Sequence, residues 1–177
     1  MAMKLRTILA FVGATAIPGC SQGLYSLEPP LGFATVDDDW RSTRMKAADN
    51  VGMSMSVFDN VEGGSLTYWG TDMRRKLKDR EYALVDTKRV VSRNGVAGTR
   101  YDFDYTAPGS DVPKFLVVVL FVTDDYRFVL QLAGHKELQE QYATRLPTTV
   151  ADLRLSGCGR GSAICEGGEP KPRRAKR

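Results

Sequence analysis

The sequence predicts an α+β domain, and three patterns carry that expectation. Short stretches of alternating apolar and polar residues, as at 53–57 and 127–133, follow one another with tight turns between them. One run of eight apolar residues, 115–122, is too short to cross a bilayer and fits a central strand covered on both faces. Helical spacing occurs only around residues 69–77 and 136–153, so helices stand apart from the run of antiparallel strands instead of alternating with it.

The elements are expected in the following order. Met53, Met55 and Val57 alternate with serines and make the first strand. Gly63-Gly64 turns the chain, and residues 65–69 form a strand or the lead into a helix. Thr71-Asp72 then offers a cap and a first-turn acid before "MRRKLKDR". Trp69, Met73 and Leu77 recur every four residues, so this helix buries one stripe and exposes its charges. Strands at 82–86 and 88–92 precede Asn94-Gly95, a dipeptide whose two positions tolerate positive φ in a hairpin turn. The return strand, 96–105, sets Tyr101, Phe103 and Tyr105 on one face and Arg100, Asp102 and Asp104 on the other. A loop with Pro108-Gly109 leads into the apolar run, Asp124-Asp125 turns it, and Phe128, Leu130 and Leu132 alternate in the next strand. A helix at 136–145 directs Leu138 and Tyr142 toward Leu146. Pro147 interrupts it, and Thr148 caps a second short helix carrying Val150 and Leu153. No element is expected before residue 53. Asp37-Asp38-Asp39 reads as a solvated loop, because three adjacent carboxylates splay apart and cannot close a calcium shell alone.

The formal charge of +4 belongs to the two ends. Lys4 and Arg6 stand without acids at the start, and Lys171, Arg173, Arg174, Lys176 and Arg177 crowd the far end. Residues 20–165 are nearly neutral, which argues against a basic groove and a nucleic-acid partner. The first positions have the layout of an export signal: a cationic start, an apolar stretch at 7–17, then small residues and Cys20. As a helix, residues 5–17 reach only about 20 Å against a hydrocarbon core of about 30 Å, so the stretch does not span.

Ile17-Pro18-Gly19-Cys20 resembles the lipobox of bacterial lipoproteins. That resemblance implies a lipid on the Cys20 sulfur, cleavage before it and acylation of the new amino group. Ser21 after the cysteine implies sorting to the outer membrane, with the domain facing the periplasm. The alternative is an ordinary secretory signal that leaves Cys20 as a structural cysteine. Several acyl chains on one residue satisfy the requirement that stable anchoring takes more than a single chain. The expected organisation is a signal peptide at 1–19, a lipidated tether at 20–30, the domain at 31–156, and a cysteine loop with a disordered basic tail at 157–177.

With Cys20 assigned to lipid, Cys158 and Cys165 remain as an even pair for a disulfide in an oxidising compartment. A metal site is the alternative, and two cysteines without a nearby histidine cannot fill a tetrahedral shell. The single histidine, His135, excludes a multi-histidine metal centre and reads as a surface residue at a helix start. No cofactor is expected. Residues 69–155 also resemble the Mog1/PsbP-like group, which includes the DcrB-type envelope proteins. The resemblance lies in a short helix, "EYALVDTKRVVSRNGVAGTRYDFDY", "FLVVVLFVTDDYRFVLQLAG" and a closing helix ending "VADLRL". It implies a twisted antiparallel sheet with helices on its faces and transfers no catalytic residue. The expected function is a non-enzymatic, lipid-anchored envelope protein that binds or assembles a protein partner, with the tail cations suited to an anionic envelope polymer. A small-ligand or lipid carrier with a cavity between sheet and helices is the second reading, and an unrecognised hydrolase the third.

Overall fold

A computed structural model describes residues 23–170. The expected signal segment, Cys20, and the basic positions Lys171, Arg173, Arg174, Lys176 and Arg177 lie outside the described residues. Along the chain come β1 (Tyr25–Ser26), β2 (Phe33–Asp38), β3 (Ser42–Ala47), β4 (Gly52–Asp59), α1 (Leu66–Lys78), β5 (Ala83–Val91) and β6 (Ala97–Thr106). Then follow β7 (Pro113–Val122), β8 (Tyr126–His135), a 3-10 turn, α2 (Gln139–Ala143), α3 (Leu146–Asp152) and β9 (Arg154–Leu155). Seven strands form one antiparallel sheet in the order β2-β3-β4-β8-β7-β6-β5, and β1 pairs separately with β9.

The apolar run lies in β7, between β6 and β8, as its composition requires. Its alternate residues serve two different cores. Phe115, Val117, Val119 and Phe121 meet Phe128, Leu130, Leu132 and the α2–α3 residues Tyr142, Leu146 and Val150. Leu116, Val118, Leu120 and Val122 join Tyr101, Phe103 and Ile164 on the other face, where Trp69, Met73 and Leu77 of α1 pack. Each fully buried side chain of this size stabilises by roughly 1.5–3 kcal/mol, so β7 is the strand on which both layers depend.

Several expectations are corrected. Helix α1 begins earlier than Thr71-Asp72: Ser65 caps it, its Oγ accepting from the Tyr68 N–H at 3.1 Å. Asp72 is an interior residue, paired with Arg75 at 2.8 Å and Lys76 at 2.7 Å. The two strands expected at 82–92 are one strand, β5, with a register shift between Leu84 and Asp86. Thr148 caps nothing; Pro147 sits in the first turn of α3, where a missing N–H costs no intrahelical bond. Asp37 and Asp38 belong to β2 and only Asp39 to a turn. The β2–β3 hairpin escaped the sequence because β2 is an exposed edge with a bulge between Thr35 and Asp37, which breaks the alternation.

The two ends of the body also differ from expectation. Residues 24–27 are not a free tether: β1 pairs with β9, and the Leu24 carbonyl accepts from the Ser156 N–H at 2.9 Å and Oγ at 2.7 Å. The Tyr25 ring meets Phe128 edge-on at 6.5 Å, and its hydroxyl lies 2.6 Å from the Thr43 Oγ1. At the far end the fold continues past the cysteine loop. Ile164 and Cys165 are buried, the Ala97 N–H donates to the Cys165 carbonyl at 2.8 Å, and the Ser65 Oγ donates to Glu169 at 3.0 Å.

Candidate functional site

A depression of about 650 Å³ lies between the segment following β1 and helix α3. The outer wall is Leu27 to Leu31, stiffened by Pro29 and Pro30, which fix φ and remove two donors. The Arg145 Nη1 donates to the Leu31 carbonyl at 2.8 Å and ties this strap to the body, and the Phe33 N–H donates to the Pro30 carbonyl at 3.0 Å, closing a turn into β2. Arg93, Arg145 and Arg154, with Glu28 and Asp152, give the groove its charge, and Thr148 and Thr149 line its floor with hydroxyls. Guanidiniums, hydroxyls and proline faces in an open cleft are groups for recognition by hydrogen bonding and apolar contact. A second depression, about 570 Å³, lies between α1 and the β5–β6 edge, with Arg74 and Arg89 among threonine hydroxyls.

Cys158 and Cys165 form a disulfide with an S–S distance of 2.08 Å. Its loop is fastened by Asp124, whose carboxylate accepts from the Gly159 N–H at 2.7 Å and the Ser162 Oγ at 2.8 Å. The turn acid singled out in the sequence therefore has a structural task. His135 is half-buried at the end of β8, opposite Lys114 in the register. The three adjacent aspartates go to three different partners: Asp37 to Arg44, Asp38 to Thr43, and Asp39 to the N–H groups of Arg41 and Ser42. Among the described residues no group of three or more His, Cys, Asp or Glu side chains is placed to hold a metal ion.

Two arrangements were not foreseen. Arg100 and Asp102, side chains 12% and 9% exposed, pair through Nε–Oδ1 at 2.7 Å and Nη2–Oδ2 at 3.0 Å beneath α2. Their alternation was legible, but nothing in the sequence marks a polar pair as buried. At the opposite ends of β4 and β8 from the 48–51 turn, Asn60 joins its own loop, the β7–β8 turn and helix α1. Its amide accepts from Gly64 N–H and the Trp69 indole, and donates to the carbonyls of Gly64 and Thr123. The Arg127 guanidinium lies 3.8 Å from the Trp69 ring centroid, and burial against that ring pulls its pKa down.

No protein-family model matches the chain, and no curated protein matches it. Similarity appears among solved structures. The cyanobacterial PsbP (CyanoP) of Synechocystis sp. PCC 6803 aligns at a TM-score of 0.52 with 12% identity, over 84% of this chain and 99% of that one. The Ran-binding protein Mog1p of Saccharomyces cerevisiae aligns at 0.52 with 12% identity, over 77% and 92%. The fold is Mog1/PsbP-like. A protein of Bacteroides thetaiotaomicron aligns at 0.47 with 17% identity, and the present chain spans 45% of its length. The antiparallel sheet with flanking helices that the resemblance over residues 69–155 implied is present, and its seven strands include the unexpected β2–β3 hairpin at one edge.

Proposed function

We propose that this chain is a non-enzymatic lipoprotein of the bacterial envelope, anchored through lipid on Cys20, whose periplasm-facing domain binds or assembles another envelope protein at the strap groove. The observation that supports this most is the continuity of groove and anchor. The wall from Leu27 to Leu31 follows β1 directly, and β1 begins five residues after Cys20. A partner seated there meets a rigid proline-bearing wall, three arginines and a run of threonine hydroxyls. These are groups suited to recognition. The basic stretch Lys171, Arg173, Arg174, Lys176 and Arg177 adds a contact for anionic envelope polymers. The carrier reading is less well supported, because Phe121, Phe128, Leu130 and Leu146 fill the space between sheet and α2–α3 where its cavity would lie.

Photocrosslinking from position 148 of the native protein tests the binding reading. A single envelope protein captured there, and lost on Arg93→Glu, is the expected result. Capture unaffected by Arg93→Glu overturns it. For the anchor, Cys20→Ser is expected to leave the protein unprocessed and free of acyl mass. A processed, membrane-bound Cys20→Ser protein refutes that part.

A further inference from the structure

One end of the seven-stranded sheet gathers both points at which the described chain meets its remaining segments. The register places at this end the β2–β3 turn, the loop from β4 to α1, the β5–β6 hairpin and the β7–β8 turn. Leu24 arrives beside Ser156, whose neighbour Gly157 accepts from the Asp125 N–H of the β7–β8 turn. Glu169 departs beside Ser65, at the start of α1. The same end exposes large apolar side chains that the fold leaves outside its cores: Trp40 at 67%, Phe58 at 48%, Val61 at 83% and Tyr68 at 60%.

We infer that this end of the sheet lies on the lipid bilayer, with Trp40, Phe58, Val61 and Tyr68 seated among the headgroups. The inference rests on the proposed acylation of Cys20, and chain length then decides the occupant. Three residue steps separate Cys20 from Gly23, a reach of at most about 11 Å. Leu24 is already bonded to Ser156, so the body cannot stand away from the membrane by the width of an intervening protein domain. Tryptophan and tyrosine favour the headgroup level, where an apolar ring and a polar tip both find partners. Charge is consistent with this choice. The carboxylates of Asp39, Asp59, Asp124 and Glu169 at this end are occupied by bonds within the fold, although Glu62, Asp125 and Glu166 stay exposed. Exposed Arg93 and Arg160 stand at the same end, and the five cations that follow Pro170 add to their attraction to anionic lipid. Contact by the rings is therefore insensitive to salt, and the cations add a salt-dependent part.

Brominated-lipid quenching of the acylated, full mature chain tests the orientation. The chain holds two tryptophans, so Trp69→Phe leaves Trp40 as the only reporter. In vesicles of phosphatidylethanolamine and phosphatidylglycerol with brominated acyl chains, its emission should shift to the blue and fall by at least half, at low and high salt alike. Unchanged Trp40 emission from protein that floats with the vesicles overturns the inference and leaves the anchor standing. Trp40 quenched by no lipid but crosslinked to a protein in native envelopes also overturns it, in favour of a protein interface. Intact mass of the native chain decides the separate question: an unacylated Cys20 removes the anchor and this orientation together.

Discussion

Replacing Asp102 by alanine should be among the most costly single changes in the sheet. The two residues sit two apart on β6, hence on the same face, and their side chains are 12% and 9% exposed. Asp102 accepts from both Nε and Nη2 of Arg100, while the third nitrogen reaches only the Ala143 carbonyl at 3.4 Å. Asp102→Ala thus leaves a guanidinium that is still buried beneath α2 and has lost both strong bonds. Breaking a buried pair from one side costs about 3–5 kcal/mol, against about 0–1 kcal/mol for a solvated pair. Arg44–Asp37, with side chains 69% and 49% exposed, is the internal control. Urea unfolding monitored by far-ultraviolet dichroism measures the difference. At an m-value of roughly 2 kcal/mol per molar, the midpoint should fall by about 1.5–2.5 M for Asp102→Ala and hardly move for Asp37→Ala. Replacing both partners, Arg100→Met with Asp102→Leu, should recover most of the loss, because the cost is the stranded charge and not the missing attraction. A single variant within about 1 kcal/mol of wild type would refute the reasoning, as would a double variant no better than the single one.

Gly70→Ala should destabilise by about 1–3 kcal/mol despite improved helix propensity, because the added carbon would lie 2.2 Å from the Tyr101 hydroxyl. Tyr101→Phe in the same chain should restore the loss, and thermal unfolding of the pair reads it. Reducing the Cys158–Cys165 bridge, which closes a loop of sequence separation 7, should cost about 2.5 kcal/mol by the chain-entropy estimate. Calorimetry should then show a midpoint roughly 5–10 °C lower, and an unchanged midpoint rejects the estimate. Acid sensitivity follows from Asp39, Asp72 and Asp86. The Arg41 N–H and Ser42 hold the first below the usual carboxylate range, Lys76 and Arg75 the second, and Lys88 and the Thr87 N–H the third. Because the folded values are depressed, their contribution is complete above the unfolded value near 4 and is lost as pH falls through the lower folded ones. Tyr142 runs the other way. Its hydrogen bond to Asp49, then burial, raises its pKa, so its contribution is present below about pH 10 and lost as pH rises through the folded value. Thermal scans against pH should show these four groups adding slope only below about 4 and above about 10, and Asp49→Asn should lower the Tyr142 titration seen by ultraviolet absorbance.

Strands with strong patterns were legible and strands without them were not. Residues 115–122 read correctly as a doubly covered strand because both faces of β7 are apolar, and 127–133 because Phe128, Leu130 and Leu132 leave no other period. Trp69, Met73 and Leu77 mark helix α1 in the sequence, but the start they suggest is not the start it has. Ser65 lies upstream of the apolar stripe, separated from it by Leu66 and two exposed residues, whereas Thr71-Asp72 stands beside the charged run. The β2–β3 hairpin failed for a different reason. Edge strands need only one apolar face, β2 presents little of that, and a bulge shifts its phase. The strap groove was not legible at all. Its wall depends on β1 pairing with β9, residues about 130 positions apart in sequence, and two prolines in a short polar segment resemble a linker until the pairing is known. Cys158 and Cys165 were legible from parity and spacing. The support they receive from Asp124 depends on a contact across the fold that spacing cannot encode.

The strap changes what anchoring would do. A free tether of ten residues would let the domain tumble above the membrane, and a partner at any face would meet it with little orientational constraint. Fixing Leu24 to Ser156 and Leu31 to Arg145 removes that freedom, so the proposed lipid and the groove wall become parts of one short covalent path. A partner filling the groove would then bear on Leu27 to Leu31, and loosening those residues should disturb partner capture. Arg145→Ala separates this from a plain tether. It deletes the bond to the Leu31 carbonyl while leaving the β1–β9 pair intact, so crosslinking at position 148 should weaken and Trp40 quenching should persist, because Leu24 still holds the body at the bilayer. Loss of both signals together would mean that the strap and the membrane-facing end are one cooperative unit, and equal retention of both would mean that the wall carries no binding energy.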